Sequence, residues 1–267
     1  MAQAIKGKIP VLIKVVFELR YRQGYTYLDR CGRTINLIQE YHPEWILAGS
    51  NQPNPQMAPL IHVETGAKFS FSSLKLDIGL ERPLREGEVD DEKIKNLADQ
   101  ADELTSIVID QLGLAEFTRL GFRIWYLFPS DTREDARQFM SDLGLFDVRP
   151  KLLSAFAGEQ EETSAVIIIN GQDRKFRFAT EVTERTMEVD LGDAVVNLPI
   201  QALPSEQRKK ARLEQQKSAS RRRKYPPFAT MIDIDAYRED PAAMPKPSEF
   251  MLSSLDYAIK GVRALGD

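Results

Sequence analysis

A chain of 267 residues, 42% hydrophobic and 28% charged, carries enough apolar side chains to bury a full core and too many for a disordered polymer. Its one cysteine, Cys31, excludes an intrachain disulfide and a cysteine-cluster metal site and fits a reducing, cytoplasmic setting. The formal net charge of −4 conceals a division: residues 208–224 hold nine Lys or Arg and one acidic residue, a local +8 against −12 for the remainder.

The apolar run from Ile9 to Phe17 is interrupted by Lys14 and followed by Glu18 and Arg20, which reads as a strand and not as a signal peptide. No stretch reaches the roughly 18 apolar residues of a membrane span, so no membrane partner is expected. Val11, Ile13, Val15, Phe17, Leu19 and Tyr21 alternate with more polar positions, the period of a strand with one buried face. From Thr26 to about Tyr41, Leu28, Cys31, Ile35 and Ile38 recur at helical spacing, and His42-Pro43 closes the helix. A Pro/Asn-rich connector from Ser50 to Pro55 leads to strands near residues 60–64 and 68–72. A further strand should turn Leu74, Leu76, Ile78 and Leu80 inward, with Lys75, Asp77, Gly79 and Glu81 outward. Residues 91–112 then read as a long helix with an acidic start suited to its N-terminal dipole.

The order then begins again. Leu120, Phe122, Ile124, Tyr126 and Phe128 alternate along a strand, Pro129 ends it, and Asp131 or Thr132 can cap a helix running to about Leu143. A shift of 105 positions lays Phe17 on Phe122, Cys31 on Ala136, Ile35 on Met140 and Ile38 on Leu143, and only Leu28 on Arg133 breaks the apolar set. Strands are expected near residues 152–156, 165–169, 175–180, 187–191 and 228–237. A closing helix from about Ser248 carries Leu252, Leu255, Ile259, Val262 and Leu265. In the same way Leu76-Asp77-Ile78 is laid on Ile232-Asp233-Ile234. These elements predict an α+β fold of two pseudo-symmetric strand–helix–strands–helix halves, residues 1–114 and 115–267, sharing a largely antiparallel sheet and packed as one unit. The later half contains a basic insertion at about 204–227.

Four features together resemble a sporadically distributed family of bacterial proteins of unknown function with a paired strand–helix layout. They are Val15-Val16-Phe17-Glu18-Leu19-Arg20, Arg119-Leu120-Gly121-Phe122-Arg123, Ile232-Asp233-Ile234-Asp235-Ala236-Tyr237 and the closing helix. The resemblance implies a cytoplasmic prokaryotic protein over nearly the whole chain and supplies no catalytic residue. The long basic insertion departs from that pattern.

Three constellations carry chemistry. Arg208, Lys209, Lys210, Arg212, Lys217, Arg221, Arg222, Arg223 and Lys224 form a cluster that would attract phosphates by charge and counterion release, or dock as a solvated segment on the chain's own acidic surface. Asp233 and Asp235 leave one face of one strand and could bind a divalent cation together, or stand as the ordinary polar side of a half-exposed strand. Arg123 and Trp125, with Arg119, share the outward parity of the later half's first strand and make a candidate partner contact, unless helices cover that face and Trp125 is core. His42, His62 and Cys31 read as structural. Glycine-rich phosphate loops, nucleophile elbows and zinc-helix motifs are absent from the sequence, and no cofactor is expected. The expectation is a non-catalytic binding or assembly component, self-associating or contacting a protein or nucleic acid. A metal-dependent enzyme on a nucleotide or phosphorylated substrate, using Asp233 and Asp235, is the alternative.

Overall fold

The computed structural model describes residues 4–22, 25–48, 56–81, 91–145, 164–184, 227–241, 243, 244 and 246–266. Nine strands are found among the described residues: β1 (Val11–Tyr21), β2 (Trp45–Leu47), β3 (Met57–His62), β4 (Lys68–Ser72), β5 (Lys75–Glu81), β6 (Phe117–Ser130), β7 (Ser164–Asn170), β8 (Lys175–Glu184) and β9 (Phe228–Glu239). They form one antiparallel sheet in the order β2-β3-β4-β5-β1-β6-β9-β8-β7. Four helices are found among the described residues, α1 (Thr26–Tyr41), α2 (Asp91–Leu112), α3 (Arg133–Asp142) and α4 (Pro247–Ala264). The fold is therefore α+β with a large antiparallel sheet, and no described helix is long and apolar enough to cross a membrane.

All four helices contribute to one apolar cluster with a single face of the sheet. Val15, Phe17 and Leu19 of β1, Leu76 and Ile78 of β5, Leu120, Phe122 and Ile124 of β6 and Ile232 of β9 are fully buried there. α2 lies between α1 and α4, while α3 packs over β6, β8 and β9. The opposite face carries no described helix. This one-sidedness follows from the alternation, because the second set of positions includes Glu18, Arg20, Lys75, Asp77, Arg119, Arg123, Asp233 and Asp235, charges that would be costly beneath a second helical layer.

The structure corrects several expectations. A bulge between Leu12 and Lys14 reverses the parity at the start of β1. Leu12 therefore joins the main core, and Ile13, expected to share its side with Phe17, packs instead with Leu127 and Ala229 in a second small cluster. On α1 the buried stripe is Tyr27, Thr34 and Ile38, with Cys31 and Ile35 half-buried against it; Leu28, one position round the helix from Tyr27, is exposed. Leu74 precedes β5 and is also exposed. The stripe of α4 runs through Met251, Ser254, Leu255, Ala258 and Val262, leaving Leu252 and Ile259 at its margin. The three-residue strand β2, too short to alternate visibly, buries Trp45 completely. The strands expected near 152–156 and 187–191, the basic cluster from Arg208 to Lys224 and the connector from Ser50 to Pro55 lie outside the described residues.

Local chemistry fixes the ends. Thr132 caps α3 by accepting the Asp135 amide at 3.0 Å. The turn between β7 and β8 is fastened to α4 by the buried Arg174, which donates to Ser254 Oγ at 2.6 Å, Ser253 Oγ at 2.9 Å and the Phe250 carbonyl at 3.3 Å. The sheet's two outermost strands differ. β2 is three residues long, whereas β7 runs for seven.

Phe17 and Phe122 face each other across the central ladder and are fully buried. Phe17→Ala should cost about 3–5 kcal/mol, as truncation of a close-packed core aromatic does. Denaturant unfolding that finds a loss well below this would show that the ladder tolerates a gap at its centre.

Candidate functional site

The open face of the sheet is a lattice of ion pairs. Arg119 of β6 donates through one terminal nitrogen to Glu18 of β1 at 2.7 Å and through the other to both oxygens of Asp235 on β9, at 2.8 and 2.7 Å. One guanidinium thus joins three neighbouring strands. Its path crosses Gly121, where a Cβ would collide with Arg119 Nη1, and it lies 5.1 Å from the Tyr237 ring centre. The network continues on both sides. Lys75 reaches Glu18 and Asp77 at 3.3 Å each, Ser70 donates to Asp77 at 2.9 Å, and Arg20 donates to Glu18 at 2.8 Å.

Two rungs away, Arg123 grips Asp233 through two parallel hydrogen bonds, Nε to Oδ1 at 2.8 Å and Nη2 to Oδ2 at 2.5 Å, the paired geometry that suits guanidinium to carboxylate. Arg177 of β8 approaches the same Oδ2 at 3.3 Å. The Arg123 guanidinium also lies 4.5 Å from the centre of Trp125, and the Lys14 ammonium lies 5.2 Å from it. Trp125 is half-buried at the edge of the small cluster formed by Ile13, Leu127 and Ala229. It belongs to the open face, and no described helix covers it.

The depth of the charges matters more than their number. Asp233, Asp235 and Glu18 keep only 5, 15 and 16% of their side-chain surface exposed, whereas Arg20, Arg123, Lys75 and Arg177 keep 53, 45, 42 and 37%. Short carboxylates sit at the level of the backbone, and long basic stems rise past them. Arg119, at 18%, is the recessed cation that binds the carboxylates together. Glu81 and Glu239 protrude, and each is paired with a lysine, Lys14 and Lys175 respectively. A partner approaching the centre of this face therefore meets guanidinium and ammonium groups first.

The two carboxylates on Arg119 titrate in opposite senses. Burial pushes the Asp235 carboxyl above its ordinary value, outweighing the attraction of Arg119. Burial also acts to raise Glu18, but the Arg20 hydrogen bond together with the charges of Arg20, Lys75 and Arg119 carries it below the ordinary 4.5. On Arg123 the hydrogen bonds to Asp233 are the leading cause that holds the proton more firmly than usual.

The structure thus brings Arg123, Trp125, Asp233 and Asp235 onto one face, and it supplies the aspartates with arginine partners. Their carboxylate oxygens accept hydrogen bonds from the Arg119 and Arg123 guanidinium groups. Among the described residues no group of three or more His, Cys, Asp or Glu gathers where a metal could be held. His62 Nδ1 accepts the amides of Glu64 and Thr65 at 3.2 Å each, and burial lowers its pKa, so it serves as a neutral turn acceptor. His42 sits between Glu44 and Glu103 at 3.6 and 3.4 Å, apart from this face. Sequence parity found Arg119, Arg123 and Glu18. It missed Arg177 and the space that Gly121 leaves for Arg119, a space that only the Arg-Leu-Gly-Phe-Arg spacing could have signalled.

Gly121→Ala should displace the Arg119 guanidinium and lower stability by about 1.5–3 kcal/mol, the scale of a lost hydrogen bond between charged groups; calorimetric or denaturant unfolding checks it. Because the folded pKa of Glu18 is lowered, its ionised form stabilises the fold above the ordinary carboxylate range, and that contribution is lost as pH falls through the lowered value. Glu18→Gln should therefore be less stable than the parent near about pH 7, and the gap should narrow as pH falls below the ordinary carboxylate range; denaturant unfolding across that range checks it.

No protein-family model matches the chain, and no curated protein matches its sequence.

Proposed function

We propose that this chain is a non-catalytic binding component of a prokaryotic cytosolic system, and that the face of its sheet over which no described helix lies engages single-stranded nucleic acid. The observation that carries this reading is the layering of charge, with carboxylates recessed and Arg20, Lys75, Arg123 and Arg177 raised above them. An open antiparallel sheet with raised cations beside Trp125 and Tyr237 offers what a flexible polyanion needs: counterion release along the backbone and flat guanidinium or aromatic groups against bases. The basic cluster from Arg208 to Lys224 would add a second, sequence-independent attraction.

The ladder between β1 and β6 also fits an internal duplication whose two copies have diverged in surface charge. In a two-fold pair of antiparallel strands, the residue on the axis stands opposite its own equivalent and the rungs on either side are exchanged. Phe17 pairs with Phe122, which the 105-residue shift makes its equivalent, and the same operation exchanges the pairs Val15–Ile124 and Leu19–Leu120. The order outward is β1-β5-β4-β3 on one side, where the short β2 is added beyond β3, and β6-β9-β8-β7 on the other. This ladder also revises the match between the last strands. Glu18 faces Asp77 and its equivalent Arg123 faces Asp235, so Asp77 corresponds to Asp235 and Lys75 to Asp233. Residues 1–114 and 115–267 are then two versions of one unit, in keeping with the paired layout of the sporadically distributed family whose motifs the chain resembles.

A metal-dependent enzyme built on Asp233 and Asp235 has less support, because Arg119, Arg123 and Arg177 would first have to release both carboxylates.

Fluorescence anisotropy with a labelled single-stranded oligonucleotide tests the binding reading. Affinity should fall with salt, and Arg20→Gln/Lys75→Gln/Arg177→Gln should weaken it about tenfold or more while reducing the salt slope by about 0.7 for each phosphate that is no longer neutralised. These three leave the Arg119 clamp and the paired Arg123–Asp233 bonds in place. Salt-independent binding, absence of binding, or binding lost only on neutralising Arg221, Arg222, Arg223 and Lys224 would sink the assignment of the sheet face.

A further inference from the structure

β7 has the sequence Ser-Ala-Val-Ile-Ile-Ile-Asn and contains no charge, no proline and no break in its register with β8. It pairs on one side only, and among the described residues it is the last strand of the sheet. Val166, Ile168 and Ile169 are 56, 63 and 52% exposed. Soluble proteins blunt such an edge with lysine, proline, a bulge or brevity, because unpaired amides and carbonyls beside apolar side chains recruit another strand. The other outermost strand, β2, is blunted by brevity. β7 carries none of these protections.

We propose that β7 is a self-association edge, at which two copies of this chain pair residues 164–170 antiparallel about Ile167 and continue the sheet across a two-fold axis. The choice of a second copy rests on how the strand matches itself. Centred on Ile167, the pairing puts Val166 opposite Ile168 of the second copy and Ala165 opposite its Ile169. The two most exposed apolar residues on the helix-free side thus cover each other, and Ile169 meets a small residue on the other side. The ends match as well: Ser164 meets Asn170, two neutral hydrogen-bonding side chains.

The neighbouring strand agrees in charge. Ser164 lies beside Glu181 and Asn170 beside Lys175 in the β7–β8 ladder. The row running Glu181, Ser164, then Asn170 and Lys175 of the second copy therefore ends in opposite charges, and the two-fold repeats it at the other end. Three strand spacings separate those charges, roughly 14 Å, so with screening at about 8 Å they favour this orientation without supplying much affinity. Affinity comes from the ladder bonds and the apolar pairs.

This inference is independent of the nucleic-acid reading, since none of the cations assigned to that surface lies on β7. Sedimentation velocity on the full chain tests it first. The parent should show a concentration-dependent dimer, and Ile168→Lys should raise the dissociation constant about tenfold or more, because a lysine would face Val166 at both symmetric positions. A parent that stays monomeric at its highest soluble concentration overturns the proposal, as does a dimer indifferent to Ile168→Lys. A disulfide test covers the case in which that variant fails to fold. Across an antiparallel ladder, Ile167 and its copy would stand about 4.5–5.5 Å apart at Cα, within disulfide reach. In a Cys31→Ser background, Ile167→Cys should cross-link on oxidation, and Ala165→Cys, which faces Ile169, should cross-link far less. Equal cross-linking at both positions overturns the register, and none at Ile167 overturns the pairing.

Discussion

The ladder between β1 and β6 joins strands whose centres lie 105 residues apart, and closing a chain segment of that length costs about 4 kcal/mol in entropy before any contact is counted. It is held on both faces at once. On the helix side Phe17 and Phe122 meet without exposure, and on the open side Arg119 clasps Glu18 from β6 to β1. Every other strand pairs outward from this joint, and α2 and α4 pack against each other, α2 over β5 and α4 over β6. A defect in the joint would separate the two sets of strands and unroof the main core, whereas a defect in the half-exposed β7 would mainly shorten the sheet.

That constraint explains why the open face is so heavily paired. A sheet covered on one side must keep its other side wet, yet the backbone-level carboxylates of Glu18, Asp233 and Asp235 are too recessed to be solvated by bulk water alone. Arginine resolves the conflict, because its planar head can complete the hydrogen bonds of a sunken carboxylate while its stem covers neighbouring backbone. Arg119 and Arg123 each reach diagonally along the sheet to an aspartate that is not their direct ladder neighbour: the rungs place Arg119 opposite Glu239 and Arg123 opposite Asp235. The carboxylates then become part of the scaffold and leave the raised cations as the surface that another molecule encounters.

Much of the architecture was legible in the sequence because alternation over a long strand is hard to mistake: β1, β5, β9, α2 and α3 lie close to where the patterns of Val11–Tyr21, Leu74–Leu80, residues 228–237, residues 91–112 and Thr132–Leu143 put them, while β6 runs on through Pro129, the expected end of the strand, to pair Ser130 with Phe228. The misreadings have local causes. A bulge at Ile13 is invisible to a period-two count, and adjacent apolar residues such as Tyr27 and Leu28 leave the phase of a helix undecided until packing selects one. For the candidate site, the sequence could place Asp233 and Asp235 side by side on a strand. It could not supply their partners, since Arg119 and Arg123 arrive from 116 and 110 residues earlier and Arg177 from 56. Residue type and parity identify a polar face, but only the strand order says which opposite charges become neighbours.

The unequal edges of the sheet have a consequence for assembly. A sheet with two sticky ends can add copies without limit and grow into a fibre. Here one end is a seven-residue apolar strand and the other is three residues long with its tryptophan turned wholly into the core. Association through the long edge uses the same patch on both molecules, so the first addition consumes it and presents two blunt ends to solvent. In the proposed pairing growth would stop at two, and the asymmetry between β2 and β7 would act as a chain terminator written into the fold.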